Sequence, residues 1–266
     1  MFLLKKQYIK TLIKKKKQKY GRNNTGRITV RSWQKGHKQL YRKINFKQNL
    51  NKKGLIVNIE YDPNRTNFIY KILYKKNKKF YFSYYLCNQN INVLQIIKPI
   101  SKNLIPTKTY NKGFSFLIKN LSIGDIISNL EKKPTEGAVF IRSAGTFGKI
   151  IEIINTKTGL SRIQLPSKEQ YFVSNNCKTN LGRSSNVFHK HLNKWKAGTS
   201  RHLGKRPLTR GVAKNPVDHP HGGGEGKASV GRPPVTPQGF LTKGVKTRKK
   251  RKNSFFIALR KNKINK

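Results

Sequence analysis

Apolar residues come in short alternating runs, and the runs are confined to the middle of the chain. Residues 55–61 are rich in β-formers and stop at Asp62-Pro63-Asn64, a turn signal. Residues 68–74 follow as a second strand, and Asn77-Lys78-Lys79 turns the chain into a third over 80–86. Runs at 92–97 and 113–118 continue the series. A second β set begins near Gly124, with runs at 138–141, 149–154, 161–165 and 170–173. Two sets of short strands separated by turns predict small barrels, with a boundary near 121–125. From about 190 onward the periodicity is lost, and Gly and Pro become dense, as in Gly222-Gly223-Gly224 and Pro233-Pro234. Such a segment makes no core of its own and must lie against something else.

Charge sharpens that picture. Of 266 residues, 59 are Lys or Arg and nine are Asp or Glu, a formal net charge of +50. A compact globule with that charge repels itself, so a polyanion belongs to the native state. Acids are absent before Glu60, between Glu169 and Asp218, and after Glu225, which leaves both ends basic. The block Lys14-Lys15-Lys16-Lys17 is expected to be disordered without a partner. Hydrophobic residues make up 35%, enough for a modest core and not for 266 compact residues. No run approaches the roughly 18 apolar residues of a membrane span. Cys87 and Cys177, far apart and outside any C-x-x-C pair, build neither a disulfide framework nor a zinc site. Nucleic acid and an acidic membrane surface are the remaining polyanions, and the sequence shows neither the amphipathic helix nor the lipid signal that membrane attachment needs.

Three segments carry candidate chemistry. Gly21-Arg22-Asn23-Asn24-Thr25-Gly26-Arg27 combines glycines that let a backbone approach phosphate, arginines that fork onto it, and amides that reach sugar or base edges. The run 196–206 repeats this chemistry, and Trp195 beside it could stack on a base or pack locally. The run 215–227 holds Asp218, His219, His221 and Glu225. Those are metal-ligand types, but the spacing is no known zinc pattern. His219 as a general base is the enzymatic alternative, and a hydrogen-bonding or stacking histidine is the simpler reading. A P-loop fails because His221 stands where its first Gly belongs and Ala228 follows Lys227. The scarcity of carboxylates disfavours most hydrolytic and metal-dependent chemistry.

At this point the motifs resemble a known family. The run from Gly21 to Arg31, then Gly36-His37-Lys38 and Ile59-Glu60-Tyr61-Asp62-Pro63-Asn64-Arg65-Thr66, look like the universal large-subunit ribosomal protein L-two family. Arg142-Ser143-Ala144-Gly145-Thr146, Gly204-Lys205-Arg206-Pro207 and Asn215 through Gly226 follow in the family's order. Pro234-Val235-Thr236-Pro237 and the run 242–248 complete it. Residues from about 76 to 115 depart from the family pattern, and Lys214 replaces an apolar residue. The resemblance implies a mainly β fold: an OB-fold barrel followed by an SH3-like barrel, with long extended basic N- and C-terminal arms. The expected organisation is a basic arm over 1–52, the OB-fold over 53–122, the SH3-like barrel over 123–190 and an rRNA-binding segment over 191–266.

It further implies a structural, non-enzymatic constituent of the large ribosomal subunit near the peptidyl transferase centre, supporting subunit association and tRNA-site architecture. The expected rRNA contacts are Arg22, Asn23, Asn24, Arg27, Arg31, His37, Lys38, Arg142, Lys196, Arg201, Lys205, Arg206, Arg210, His219, His221 and Lys227. Partners are large-subunit rRNA, neighbouring ribosomal proteins and the small subunit, with no membrane and no small-molecule substrate. No cofactor is expected; Mg or K ions would enter only through rRNA. Abundant Lys, Asn, Ile, Phe and Tyr, whose codons are A/T-rich, suggest an organelle genome and a mitochondrial ribosome, with a plastid ribosome as the alternative.

Overall fold

In a computed structural model the described residues are 9–16, 19–47, 53–97, 115–154, 159–226, 231–245 and 256–258. Strands β1 (Ile13–Lys15) and β2 (Leu40–Arg42) form an antiparallel pair. Strands β3 (Gly54–Tyr61), β4 (Phe68–Lys76), β5 (Lys79–Leu86) and β6 (Ile96–Ile97) form a sheet in the order β5-β4-β3-β6. The rest of the strands are β7 (Ser115–Leu117), β8 (Ile126–Ser128), β9 (Leu130–Glu131), β10 (Ala138–Phe140), β11 (Gly148–Ile153), β12 (Leu160–Gln164), β13 (Gln170–Ser174), β14 (Lys178–Leu181) and β15 (Phe256–Ala258). All but β9 and β10, which pair with each other, join one antiparallel sheet in the order β15-β13-β12-β11-β8-β14-β7. Both sheets curl as the OB-fold and SH3-like barrels do.

The chain divides into two compact units. The first comprises residues 1–16, 38–193 and 254–266; the second comprises 17–37 and 194–253. The first unit holds both curled sheets around one continuous core. Ile56, Tyr70, Ile72 and Tyr85 enter it from the first sheet, and Ile127, Ile150, Ile163 and Val173 from the second. The register follows the pleat: Ile72 and Tyr70 face inward, while Ile69, Tyr84 and Leu86 occupy the opposite face. That opposite face is covered near its base by Leu12, Ile44 and Phe46.

Lys14 and Lys15 are therefore ordered in this fold, contrary to the expectation for the Lys14–Lys17 block; Lys17 lies outside the described residues. Their backbone is held in the β1–β2 ladder, Leu12 is anchored on the sheet, and the Lys16 Nζ donates to Gln39 Oε1 and Pro63 O, each at 3.2 Å. Local apolar anchoring and ladder bonds outweigh exposed like-charge repulsion, which water screens.

The predicted strand at 92–97 shrinks to Ile96–Ile97, because Leu94 adopts a left-handed φ of 70° to donate its amide to Ile56 O at 2.8 Å. Residues 113 and 114 of the predicted run 113–118 lie outside the described residues, and Ile118 already begins a 3-10 turn. The β4–β5 turn is as read: Asn77 and Lys78 both have positive φ, 48° and 61°, the pair of angles a two-residue hairpin of this twist demands.

A buried polar seam joins the two sheets. The Asn88 Nδ2 donates to Ser128 Oγ at 3.0 Å and to Leu181 O at 3.3 Å. Its Oδ1 accepts from Asn129 Nδ2 at 3.1 Å and Asn180 Nδ2 at 3.3 Å. Its backbone amide donates to the Tyr70 hydroxyl at 2.9 Å, and that hydroxyl donates to Asn88 O at 3.0 Å. This network explains strand β14, which hydrophobicity does not reveal. Thr179 and Asn180 are buried there with the Thr179 hydroxyl bonded to Ser128 O and the Asn180 Nδ2 to Asn88 Oδ1, not because they are apolar.

Glu131, 1% exposed, is used in the same way. Its carboxylate accepts backbone amides from Gly137 at 3.1 Å, Lys178 at 2.9 Å and Thr135 at 3.4 Å. Burial, and then this carboxylate, push the Cys177 thiol up to about 12. Glu131→Gln turns one acceptor oxygen into an NH2 group that faces N–H donors. The substitution should cost about 3 kcal/mol, the usual scale for orphaned buried donors to a charged acceptor. The check is a urea unfolding midpoint that falls with an unchanged slope; an unaltered midpoint would show the carboxylate to be dispensable.

Candidate nucleic-acid interface

The second unit contains 22 Lys and Arg residues against two acids, Asp218 and Glu225. Every ion pair among the described residues lies in the first unit: Arg42–Glu60, Arg65–Asp62, Lys133–Glu136 and Arg162–Glu152. Among its described residues the second unit is thus organised by backbone hydrogen bonds and close approaches, leaving its cations other than the half-buried Lys214 exposed.

Its N-terminal loop is self-stapled. The Asn23 Oδ1 accepts from Thr25 N and Arg27 N, both at 3.0 Å, and from Thr25 Oγ1 at 2.7 Å. Asn23 N donates to Arg27 O at 3.0 Å and closes the loop. Asn23 therefore directs its carbonyl to the loop's own backbone, an Asx turn. Arg22, Asn24, Arg27 and Arg31 project around it and are exposed.

A short ribbon ties this loop to the C-terminal segment. Gln34 N donates to Gly204 O at 2.9 Å, His37 N to His202 O at 2.9 Å, and Arg206 N to Ser32 O at 2.9 Å. The partner segment begins as helix α1 (Ala197–His202), which exposes Arg201. The approach is so close that a Cβ on Gly36 would lie 2.4 Å from His202 O and 2.8 Å from Gly204 N. The ribbon gathers Arg22, Asn23, Asn24, Arg27, Arg31 and His37 with Lys196, Arg201, Lys205, Arg206 and Arg210 in one unit.

The Asn215–Gly226 loop closes on itself. Asn215 O accepts from Asp218 N and His219 N, and Gly223 N donates to Lys214 O at 3.0 Å. His219 is buried, and the ring lies so close to Gly211 that a Cβ there would stand 2.5 Å from its Cε1. The His219 Nδ1 accepts from His221 N at 3.0 Å, and the His221 Nε2 accepts from Val235 N at 3.1 Å. An acceptor nitrogen carries no proton, so both imidazoles are held neutral, His219 protonated on Nε2 and His221 on Nδ1. Burial, followed by His221 and Lys214, lowers the His219 pKa. No group of three or more His, Cys, Asp or Glu among the described residues could hold a metal ion. Beside this loop a cleft of about 780 Å³ is lined in part by Arg31, Leu208, Lys214, Val217 and Asp218.

Lys38 and Arg142 belong to the first unit instead. The half-buried Arg142 guanidinium lies 5.3 Å over the Phe46 ring, which Arg65 also covers at 5.1 Å. Burial, and then the neighbouring Arg65 charge, lower the Arg142 pKa. Lys227 lies outside the described residues. Sequence reasoning passed over Lys214, which a cleft and a histidine give a place, and Trp33, 57% exposed and bridged to Lys205. Lys214 carried a signal in its departure from an apolar pattern. Trp195 is 89% exposed, so its ring face is open to stacking.

Curled β sheets in one unit and an unneutralised, backbone-stapled cationic surface in another define a nucleic-acid-binding structural protein. Comparison narrows the class. Residues 9–94 match the family described as "Ribosomal Proteins L2, RNA binding N-terminal domain", and residues 111–239 match "Ribosomal Proteins L2, C-terminal domain". The chain is 46% identical over 243 residues to the large ribosomal subunit protein uL2 of Orientia tsutsugamushi, covering 91% of this chain and 85% of that one. It is 44% identical over 258 residues to uL2 of Rickettsia prowazekii (96% and 90% covered), and 44% identical over 241 residues to uL2m of Reclinomonas americana (90% and 83%). The chain belongs to the ribosomal protein L2 family, a structural and non-enzymatic family of the large subunit.

The His219 imidazole should titrate below the ordinary value near 6.5 in an NMR pH series. Because the folded pKa is depressed, the loop's stability is complete above about 6.5 and is lost as pH falls through the folded value. The protection of the His221 amide, its exchange relative to the intrinsic rate at each pH, should fall over that range, since a protonated Nδ1 cannot accept. Gly36→Ala should open the ribbon, raising exchange at the His37 amide at least about tenfold while β3–β5 keep their protection. Unchanged exchange at His37 would mean that the close approach is not structural.

Proposed function

We propose that this protein binds large-subunit rRNA near the peptidyl transferase centre, supports association with the small subunit and maintains the architecture of the tRNA sites. The observation that carries the reading is the second unit: 22 basic residues, two acids and no internal ion pair among its described residues. Phosphates supply the missing counter-charge, and release of condensed counterions provides most of the affinity. In this reading Arg22, Arg27, Arg31, Lys196, Arg201, Lys205, Arg206 and Arg210 engage phosphate. Asn24 and His37 reach sugar or base edges, and RNA shape supplies selectivity. The neutral His219–His221 pair keeps a loop rigid against RNA and does no chemistry on peptide bonds. Mg or K ions enter with the rRNA. The uL2m relative and the A/T-linked composition support a mitochondrial ribosome ahead of a plastid one.

The chain should co-sediment with large subunits and remain after washes that strip loosely held factors. In binding to an rRNA fragment, replacing Arg22 and Arg27 together by Ala should flatten the plot of log affinity against log salt by about 2, one per phosphate contact. A chain found only in an RNA-free pool, or one that binds unrelated RNA equally well, would overturn the reading.

A further inference from the structure

The first sheet has a surface that neither the core nor the N-terminal strands cover. On one face of the β4–β5 hairpin the register places Lys71 opposite Tyr84, Leu73 opposite Phe82, and Lys75 opposite Phe80. The base of this face is closed. Tyr84 is fully buried, its hydroxyl donates to Glu60 Oε1 at 3.2 Å, and Leu12, Ile44 and Phe46 pack around it. Toward the hairpin tip the cover ends, leaving Phe82 36% and Phe80 67% exposed. The Lys71 Nζ lies 5.1 Å from the Phe82 ring centroid and the Lys75 Nζ 5.9 Å from that of Phe80. The opposite face of the same tip carries Tyr74 and Tyr81, stacked with centroids 6.0 Å apart, and Tyr81 is 43% exposed. Aromatic rings are costly to leave in water, and here they stand in series on a rigid two-residue turn.

Charge selects the occupant. No acid occurs between Asp62 and Asp125, and the hairpin carries Lys71, Lys75, Lys76, Lys78 and Lys79. A protein groove would have to bring both apolar surface and carboxylates to this tip. Single-stranded RNA brings flat π faces and phosphates together, spaced along one strand. Strands β4 and β5 are the second and third of the OB-type sheet, the face that such barrels turn toward oligonucleotides. The tip also falls within residues 76–115, where the sequence departs from the family pattern.

We propose that Phe80 and Phe82 form a stacking platform for unpaired bases of an RNA strand, with Lys75, Lys78 and Lys79 on its phosphates. The platform rests on the rRNA-binding reading and adds a second, base-dependent contact to the charge-dependent one of the cationic unit. Lys71 and Lys75 lie against the rings from within the sheet and hold the π faces in a cationic setting.

The test uses the full chain and the double variant Phe80→Leu/Phe82→Leu, which keeps the surface apolar and removes the flat rings. The probes are oligouridylate and the same phosphate backbone with abasic riboses. The wild-type chain should prefer the base-bearing strand by about tenfold, and the variant should lose that preference while binding the abasic strand unchanged. In ultraviolet-irradiated large subunits, nucleotide adducts should appear on Phe80 or Phe82 as well as within residues 22–31. Equal preference in variant and wild type, or adducts in 22–31 with none at Phe80 or Phe82, overturns the platform and leaves the rRNA-binding reading standing. Absence of adducts from both regions overturns that reading as well. A photoreactive phenylalanine at position 80 that captures polypeptide instead of RNA identifies a protein-docking surface and also overturns the platform.

Discussion

Seven of the nine carboxylates sit in the unit that holds the two barrels, and each has a defined partner there. Glu60 bonds Arg42 and Tyr84; Asp62 bonds Arg65 and the Asn64 amide; Glu131 gathers three backbone amides. Asp125 accepts from Ser122 N, Glu152 pairs with Arg162, Glu136 with Lys133, and Glu169 accepts from Ser167 Oγ. Internal counter-charge is thus concentrated where the chain makes a core. The second unit has almost none, and its cations are left for phosphate. This one-sided placement of acids governs the rest of the architecture.

It also explains why the cationic unit is built from backbone. Side-chain ion pairs would neutralise the groups that RNA must meet. Order comes instead from the Asn23 Asx turn, the ribbon between Gln34–His37 and His202–Gly204, and the Asn215 carbonyl in the His219 loop. Such contacts depend on the absence of a Cβ at a few sites, Gly36 and Gly211 among them. The histidines follow the same logic. His219 and His221 each use a ring nitrogen as an acceptor for a backbone amide, which suits a neutral brace and not a proton shuttle.

Inside the barrels a different economy holds. The seam around Asn88 makes the two sheets share polar bonds across a buried interior, where each bond is stronger than in water. Between these regimes lies the β4–β5 hairpin, anchored in the core through Tyr70 and Ile72 and open at Phe80 and Phe82. A rigid base and an uncovered aromatic tip are what separate a binding platform from a core strand whose partner is already present.

Much of this was legible in the residues. Alternation revealed β3, β4, β5 and β11 to β13 with ends shifted by one or two positions, because burying one face of a pleated strand demands period two. The scarcity of acids named the partner class, and ordered motifs named the family. Strands β8, β9 and β14 were not legible: they are short, and β14 is buried through the polar side chains of Thr179 and Asn180. Nor did the residues reveal that 19–37 and 194–206 meet, since a backbone ribbon leaves no hydrophobic pattern. Composition and spacing are properties of a chain and can state what it must bind. Which cations converge, which imidazole nitrogen accepts and which aromatic rings stay uncovered depend on contacts between distant segments, and only the tertiary structure decides them.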